Sequence, residues 1–293
     1  MSDALPETPS VESRPTAWLP LAPQGVAAFA LASFSRLLTV TLVGGLVSGA
    51  VVAWFVNSAW FPVVGQAGRN LPAAGSRIAA RLEWTGPSPM VLAANRYLAL
   101  VVDLEHSGKA GQTADLQLEL TRQEIFVSGL LGGVALRYPE TIELSLDQRE
   151  FIPWWGAWRQ ALITGIVISA GLGLLVVWFL LGLLYAPAAK LISFLFSRPL
   201  PWRAAWKMAV ASLMPGALVM NAAIALYAWG WIDLVRLGFF AVFHLPIAWI
   251  YLGVSPLCLP RPAATERVKE NPFASATDKN PGRKGRNPFA SEE

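Results

Sequence analysis

Charged side chains are scarce in this sequence. Asp, Glu, Lys and Arg make up 14% of its 293 residues, whereas 54% are hydrophobic, and the mean hydropathy is +0.46. Soluble domains carry about 25% charged residues on average. The composition therefore predicts a membrane protein rather than a soluble one.

Residues for metal and thiol chemistry are also few. The chain has one cysteine, Cys258, and two histidines, His106 and His244. One cysteine excludes an intrachain disulfide framework, and His106 has no second His or Cys at metal-ligand spacing. The sequence has no Gly-rich phosphate loop, zinc-helix motif or serine-centred elbow. We therefore expect no cofactor, no metal and no enzymatic activity.

The net charge of +4 does not indicate nucleic-acid binding. The basic residues concentrate in the loops and the tail that flank apolar runs, which is typical of the signals that orient a membrane protein. We expect the lipid bilayer to be the main partner, and no nucleic acid.

Four apolar runs dominate the chain. The longest covers residues 161–186, and no charged residue occurs between Arg159 and Lys190. About 20 apolar residues suffice to cross a bilayer as a helix. Three further runs, at residues 37–61, 208–232 and 237–259, meet that requirement. The sequence predicts an α-helical integral membrane protein with four transmembrane helices.

The loop after the second run predicts the orientation. Pro187 is expected to end the second helix, and the segment that follows is basic and free of acids: Lys190, Arg198, Arg203 and Lys207. Such loops stay in the cytoplasm. Both termini are then cytoplasmic, and residues 63–158 lie on the other side of the membrane. Residues 159–260 hold the last three helices.

The pattern of residues 63–158 predicts a small β-rich extracytoplasmic domain between helices 1 and 2. Polar and apolar residues alternate over residues 115–120 and 141–146, as in half-buried strands, and residues 97–102 suit a central strand. The alternation places the leucines on one face and the acids on the wet face. We interpret the potential catalytic or metal-binding side chains of this domain in that way: Asp103, Glu105, His106, Asp115 and Glu119.

The two ends of the chain are expected to be disordered, over residues 1–24 and 261–293. The acidic start does not resemble a secretory signal, so no cleavage is expected. Residues 25–62 are divided into an interfacial segment, residues 25–35 along the cytoplasmic surface, and the first helix. Arg36 is placed at that interface because a cation at mid-membrane is costly.

The tail contains one pentapeptide twice. Asn271, Pro272 and Phe273 begin the first copy, and Asn287, Pro288 and Phe289 begin the second; Ala-Ser follows each. The copies resemble the Asn-Pro-Phe peptides that EH domains read in eukaryotic trafficking proteins. A docking motif for a cytoplasmic protein partner and a duplication without function both remain open.

Polar residues inside the predicted helices are few. Asn221 and His244 fall at similar depths in neighbouring antiparallel helices, where the amide could fix the imidazole tautomer. We hypothesise a proton- or ligand-sensitive pair, with an ordinary interhelical hydrogen bond as the alternative. Gly45 and Gly49 permit close helix contact, and a homo-oligomer contact at this pair is left open.

The arrangement resembles a family of bacterial four-span membrane proteins of unknown function, some labelled maltodextrin-utilisation proteins. The resemblance is carried by residues 36–38 (RLL), residues 95–103 (NRYLALVVD) and the three-span remainder. It implies a multi-pass protein of the bacterial cytoplasmic (inner) membrane and supplies no catalytic residues.

We expect a non-enzymatic membrane-anchored protein that binds, senses or acts as a scaffold. A small transporter or an accessory subunit of a transport system is the alternative. The spans carry no deep Asp, Glu, Lys or Arg, unlike most ion-coupled carriers. A membrane-embedded enzyme acting on lipid is disfavoured because no nucleophile–base or metal constellation is present.

Overall fold

A computed structural model describes residues 18–141 and 143–260. Within these residues, four helices are long and apolar enough to cross a membrane: Phe34–Arg69, Gln148–Leu195, Trp202–Ala228 and Leu234–Cys258. A small β region lies between the first two. The predicted count of four helices and the inserted β region are confirmed. Most of the N-terminal segment and both Asn-Pro-Phe repeats lie outside the described residues.

Some of the four long helices contain more than one regular segment. The α-helices are α1 (Pro23–Leu31), α2 (Phe34–Phe55), α3 (Phe61–Arg69), α4 (Gln148–Leu195), α5 (Trp202–Ser212), α6 (Met214–Ala228) and α7 (Leu234–Val254). A π-helical turn, Val56–Trp60, joins α2 to α3, and a 3-10 turn, Ser255–Cys258, follows α7.

Helix α4 does not end at Pro187. It runs for 48 residues with Pro153 and Pro187 inside it, about 70 Å at 1.5 Å per residue. A proline removes one helical hydrogen bond, but packing on both sides of Pro187 holds the helix together. Gly182 contacts Val210 of α5, and Ala189 belongs to the same buried cluster as much of α5. The expected end of the helix at Pro187 was therefore wrong. The helix in fact extends two turns further.

Glycines allow α2 and α4 to approach closely. A Cβ atom on Gly45 would lie 2.8 Å from the carbonyl oxygen of Gly171, and one on Gly49 would collide with the backbone of Val167. Gly45 and Gly49 therefore form a contact within this chain, between the first and second long helices.

Helix α1 is a packed element of the bundle. Val26 and Phe29 are fully buried in the cluster that contains α5. The Lys207 ammonium of α5 donates to the carbonyl oxygen of Ala32, just past the end of α1, where helical carbonyls lack partners. Residues 25–35 were expected only to lie along a membrane surface. The structure shows in addition that α1 packs against α5.

The β region contains two sheets. The strands are β1 (Arg77–Ala79), β2 (Arg81–Glu83), β3 (Met90–Ala94), β4 (Leu98–Val102), β5 (Leu116–Leu120), β6 (Glu124–Gly129), β7 (Gly132–Arg137) and β8 (Glu143–Ser145). The first sheet has the order β2-β1-β8, and the second β3-β4-β5-β6-β7. All neighbours are antiparallel except β4 and β5. The predicted central strand is β4.

Two helices contribute to the core of this domain. Val63 and Ala67 of α3 lie in one buried cluster with Leu92, Leu98 and other strand residues. Gln148, at the start of α4, donates to the carbonyl oxygens of Arg69 and Pro72 through its side chain and its backbone. The predicted domain of residues 63–158 therefore has helical edges, and its strands occupy residues 77–145.

The alternating strand β5 is oriented differently from the prediction. Gln117 and Glu119 are 4% and 5% exposed, while the three leucines that alternate with them, Leu116, Leu118 and Leu120, are only half-buried. The polar face is covered because the loop after β4 folds over it. The backbone amide of Thr113 donates to the Gln117 side chain, and His106 contacts Glu119. The assignment of the acids to a wet face was therefore wrong for Glu119, and also for Asp103, which is 2% exposed.

Candidate functional site

The β domain is attached to the helix bundle at the turn between α6 and α7. We call this end of the bundle the domain end. The Arg96 guanidinium donates to the carbonyl oxygens of Gly230 at 3.4 Å and Ile232 at 3.0 Å. The Tyr97 hydroxyl lies 3.0 and 2.9 Å from the carbonyl oxygens of Tyr227 and Ala228. Tyr97 thus contacts the last turn of α6, where carbonyls lack partners within the helix, and Arg96 contacts the turn that follows it.

Asn95 shapes the segment that presents Arg96 and Tyr97. Its side-chain oxygen accepts hydrogen bonds from the backbone amides of Tyr97 at 2.8 Å and Leu98 at 2.9 Å. Its amide donates to the carbonyl oxygen of Ala59, in the π-helical turn after α2. An asparagine that bonds its own following backbone is a common turn-forming device. This turn therefore connects the start of β4 to the first long helix.

A third contact joins the loop before β5 to α6. The Tyr227 hydroxyl donates to Oδ2 of Asp115 at 2.7 Å, and the Asp115 amide donates to the carbonyl oxygen of Arg96 at 2.9 Å. The rings of Tyr97 and Tyr227 meet edge to face, with centroids 5.0 Å apart, and the Arg96 guanidinium lies 5.8 and 5.9 Å from their centroids. We call Arg96, Tyr97, Asp115 and Tyr227 the junction cluster.

Two cavities adjoin the junction cluster. One, of about 560 Å³, lies between the sheet and the helices and is mostly apolar; it is lined by residues of α6 and α7, by the β6–β7 hairpin and by Phe55, Trp60 and Leu116. The other, of about 510 Å³, is more polar and includes Arg96, Thr113 and Asp233. Asp115, Leu130 and Leu234 line both. Each volume is in the range of small-molecule sites, roughly 300–1,000 Å³.

The β6–β7 hairpin forms one wall of the apolar cavity and is unusually apolar for an exposed element. Leu131 at its tip is fully exposed, and Val134 and Leu136 are more than half exposed. The neighbouring Leu130 reaches α7, where its Cδ2 atom would lie 3.7 Å from a Cβ atom on Gly238. Exposed apolar patches of this kind are typical of binding or membrane-contacting surfaces.

A second polar cluster lies on the buried face of β5. His106 Nδ1 is 2.7 Å from Oε1 of Glu119, and the His106 ring packs on Phe126 with centroids 4.6 Å apart. The Ser107 hydroxyl donates to Oδ2 of Asp103 at 2.7 Å. Because Ser107 bonds to Asp103 rather than to His106, these residues do not form a nucleophile–base pair. Residues 18–141 and 143–260 hold no group of three or more His, Cys, Asp or Glu side chains that could bind a metal.

The other two acids that were predicted to be solvated, Glu105 and Asp115, differ in their exposure. Glu105 is exposed, as expected, and Asp115 is half-buried and belongs to the junction cluster.

The hypothesised pair of Asn221 and His244 does not form a hydrogen bond. The Asn221 amide donates instead to the Ser48 hydroxyl of α2 at 2.9 Å, and Ser48 donates to the carbonyl oxygen of Gly44. His244 Nδ1 is buried without a hydrogen-bond partner among the described residues. The backbone of His244 lies against α6 at Gly216, where a Cβ atom would be 2.6 Å from the His244 carbonyl oxygen.

Sequence reasoning missed Ser48 and the junction cluster. Ser48 gives no distinctive signal in the sequence, because a serine in a helix can bond its own backbone; it does so here while also accepting from Asn221. Arg96 and Tyr97 stand just before an apolar strand, which is the only local signal. Their partners lie about 130 residues later, beyond the reach of any periodicity.

Comparison with protein-family models, with curated proteins and with solved structures finds no match for this chain. The architecture defines it only as a mainly helical protein with four potential membrane-spanning helices and a small β region. The family resemblance carried by residues 36–38 and 95–103 therefore stays a prediction.

Proposed function

We propose that this chain is a non-enzymatic binding or sensing protein of the bacterial cytoplasmic membrane. Its β domain lies outside the membrane, both termini lie in the cytoplasm, and a ligand binds at the junction between domain and bundle. The observation that carries the proposal is the attachment of Arg96, Tyr97 and Asp115 to α6 and its following turn, next to two cavities. A ligand there touches both parts of the protein.

The proposed ligand site is able to transmit its occupancy. Tyr97 and Tyr227 line the apolar cavity, and Arg96 and Asp115 line the polar one. The same four side chains hold the turn between α6 and α7. A ligand that favours one arrangement of these side chains therefore shifts the position of that turn, by as much as its affinity for the two arrangements differs.

Tryptophans support the two proposed membrane interfaces, and the distribution of cations supports the proposed orientation. Trp229 and Trp231 are exposed at the domain end, and Arg36 packs on Trp18 at the other end, 5.0 Å from the ring centroid. Aromatic residues prefer both membrane interfaces. The acid-free basic segment covers the end of α4, the loop to α5 and the first turns of α5, with Lys190, Arg198, Arg203 and Lys207. It lies at the end opposite the domain, where the positive-inside rule places the cytoplasm.

Cysteine labelling tests this orientation. Lys109 is exposed in the β domain, and Pro199 is exposed in the loop between α4 and α5. In a Cys258→Ser background, we expect an impermeant maleimide to label Lys109→Cys in intact spheroplasts, and Pro199→Cys only after the membrane is opened. The reverse pattern would refute the proposed topology.

Hydrogen exchange tests the proposed coupling, without any added ligand. Tyr97→Phe removes a hydroxyl that contacts the end of α6, whereas Tyr138→Phe removes one that bonds the carbonyl oxygen of Thr121 inside the domain. We expect Tyr97→Phe to speed amide exchange in residues 220–241 and Tyr138→Phe to leave it unchanged. Unchanged exchange in both variants would show that the β domain is not coupled to α6 and α7. Substrate uptake by the purified protein in liposomes would then favour the alternative of a small transporter.

A further inference from the structure

We propose that the two adjoining cavities hold one zwitterionic membrane phospholipid with a primary-amine headgroup. One acyl chain occupies the apolar cavity, and the headgroup occupies the polar cavity. This inference rests on the proposed function, because it names the class of ligand that binds at the junction.

The apolar cavity runs along the bundle from the domain end. Its walls include Met220 of α6 and Ala241 of α7, each seven or eight residues from the turn that joins these helices. At 1.5 Å per residue, the cavity extends about 10 Å below that turn. Of its lining residues only Asp115 is charged, and the Tyr227 hydroxyl already donates to Asp115. An acyl chain suits such a cavity because it needs no hydrogen-bond partner.

The polar cavity shares Asp115, Leu130 and Leu234 with the apolar one and lies at the level of the turn, at Asp233 and Val235. It contains Gln112, Thr113 and Asp233 in addition to Arg96 and Asp115. The order from polar to apolar along the bundle is that of a lipid in the outer leaflet, with its headgroup toward the domain. A soluble apolar ligand or a peptide would not need this order.

The charges of the polar cavity favour a zwitterion. Arg96 has five N–H donors and uses two on the carbonyl oxygens of Gly230 and Ile232, so others are available to a phosphate. Asp115 uses Oδ2 on Tyr227. Asp233 accepts from the Arg236 amide at 2.8 Å through Oδ1, and its Oδ2 lies 3.7 Å from the Arg236 guanidinium, an exposed ion pair that solvent weakens. Among the residues that line this cavity, the charged ones are Asp115, Asp233 and Arg96, a set that suits an ammonium group next to a phosphate. A purely anionic headgroup would meet more repulsion.

A lipid can reach the cavity from the side. Helix α7 is buried at only a few positions, and Phe239 and Phe243 are about 60% exposed. The cavity is therefore bounded by a helix that faces lipid if the bundle spans a membrane. On its other side stands the exposed Val134 of the hairpin, with the fully exposed Leu131 at the tip. The hairpin and α7 thus flank a lateral entrance.

Native mass spectrometry of the delipidated full-length protein tests the proposal. The probes are synthetic phosphatidylethanolamine, phosphatidylglycerol and palmitate at equal concentration. We expect the wild type to retain one phosphatidylethanolamine, with a preference of about five-fold or more over each of the other two. Equal retention of all three probes, or retention of palmitate alone, would overturn the proposal.

A glycine pair on α7 supplies the matched variants. Gly238→Leu fills the apolar cavity beside Leu130, whereas Gly253→Leu changes the same helix at its other end, where a Cβ atom meets nothing within 4 Å. We expect Gly238→Leu to lower the lipid-bound fraction about five-fold or more and Gly253→Leu to preserve it. Ala241→Phe fills the same cavity from a second position, so the acyl-chain site can still be tested if Gly238→Leu does not fold. Undiminished binding in both filled variants would refute the acyl-chain site.

Asp233→Asn tests the headgroup assignment. Asparagine retains the cap that Asp233 forms at the start of α7 but loses its charge. We expect the preference for phosphatidylethanolamine over phosphatidylglycerol to fall toward parity. An unchanged preference would contradict the assignment of the ammonium group. If no lipid binds while hydrogen exchange still shows coupling of the domain to α6 and α7, the lipid proposal fails and the proposed function stands.

Discussion

The Tyr227 hydroxyl donates a hydrogen bond to Oδ2 of Asp115 at 2.7 Å, across 112 residues of sequence. Tyr227 is almost fully buried, and Asp115 is half-buried at the edge of both cavities. A carboxylate accepts a stronger hydrogen bond than a neutral group does. This contact is therefore a main attachment of the β domain to the bundle.

Tyr227→Phe is expected to lower the stability of the junction by about 1.5–3 kcal/mol, the usual range for a hydrogen bond to a charged group. The midpoint of thermal unfolding in detergent reports the loss. Tyr185→Phe is the matched control, because the Tyr185 hydroxyl accepts only a 3.2 Å bond from the exposed Trp249 indole. A double-mutant cycle with Asp115→Ala should give a coupling energy of the same sign. Additive effects would show that the contact contributes nothing.

Gly49→Ala is expected to destabilise the bundle although alanine is the better helix former. The new Cβ atom would collide with the backbone of Val167, which cannot move without separating α2 from α4. Gly173→Ala, on α4 in open space, should be neutral or stabilising, by up to about 1 kcal/mol. Thermal unfolding distinguishes the two variants. A Gly49→Ala protein as stable as the wild type would argue against this helix contact.

The Ser48–Asn221 hydrogen bond should contribute modestly. Interhelical hydrogen bonds in membrane proteins average about 0.6 kcal/mol and reach about 1.7 kcal/mol. A double-mutant cycle of Ser48→Ala and Asn221→Ala should give a coupling energy in that range. Ser169→Ala provides the control, because Ser169 bonds only the carbonyl oxygen of Ile166 in its own helix. A coupling energy of zero would leave Asn221 without an energetic role in the bundle.

Tyr138 should make the β domain sensitive to alkaline pH. Burial raises the pKa of Tyr138 well above its usual range, and its hydroxyl donates to the carbonyl oxygen of Thr121. A phenol whose pKa is raised on folding stabilises the folded state below the unfolded pKa of about 10, and that contribution is lost as the pH rises further.

Unfolding measured between pH 8 and 12 tests this prediction. The wild type should lose stability above about pH 10 more steeply than Tyr138→Phe, which has no phenol to ionise at this position. Parallel pH profiles for the two proteins would show that the Tyr138 hydroxyl does not contribute.

The sequence predicted some elements better than others, for identifiable reasons. The apolar run at residues 161–186 could only be a long helix, and residues 97–102 were correctly predicted to form a strand. Pro187 misled the prediction because the hydrogen bond that a proline removes is visible in the local sequence. The packing of Gly182 and Ala189 with α5, which holds the helix together, is not visible there. The exposed face of strand β5 was predicted wrongly because the alternation of polar and apolar residues does not show that the loop carrying His106 covers the polar face.

By itself, the sequence determined four apolar helices and a polar, β-rich insert between the first two, since composition and periodicity act over short distances. Only the tertiary structure decided which polar groups meet. It directed Asn221 to Ser48 rather than to His244, buried Glu119 beneath His106, and attached Arg96 and Tyr97 to the end of α6. Hydrogen-bond partners depend on how elements pack in space, and residues 130 positions apart leave no joint pattern in a single sequence.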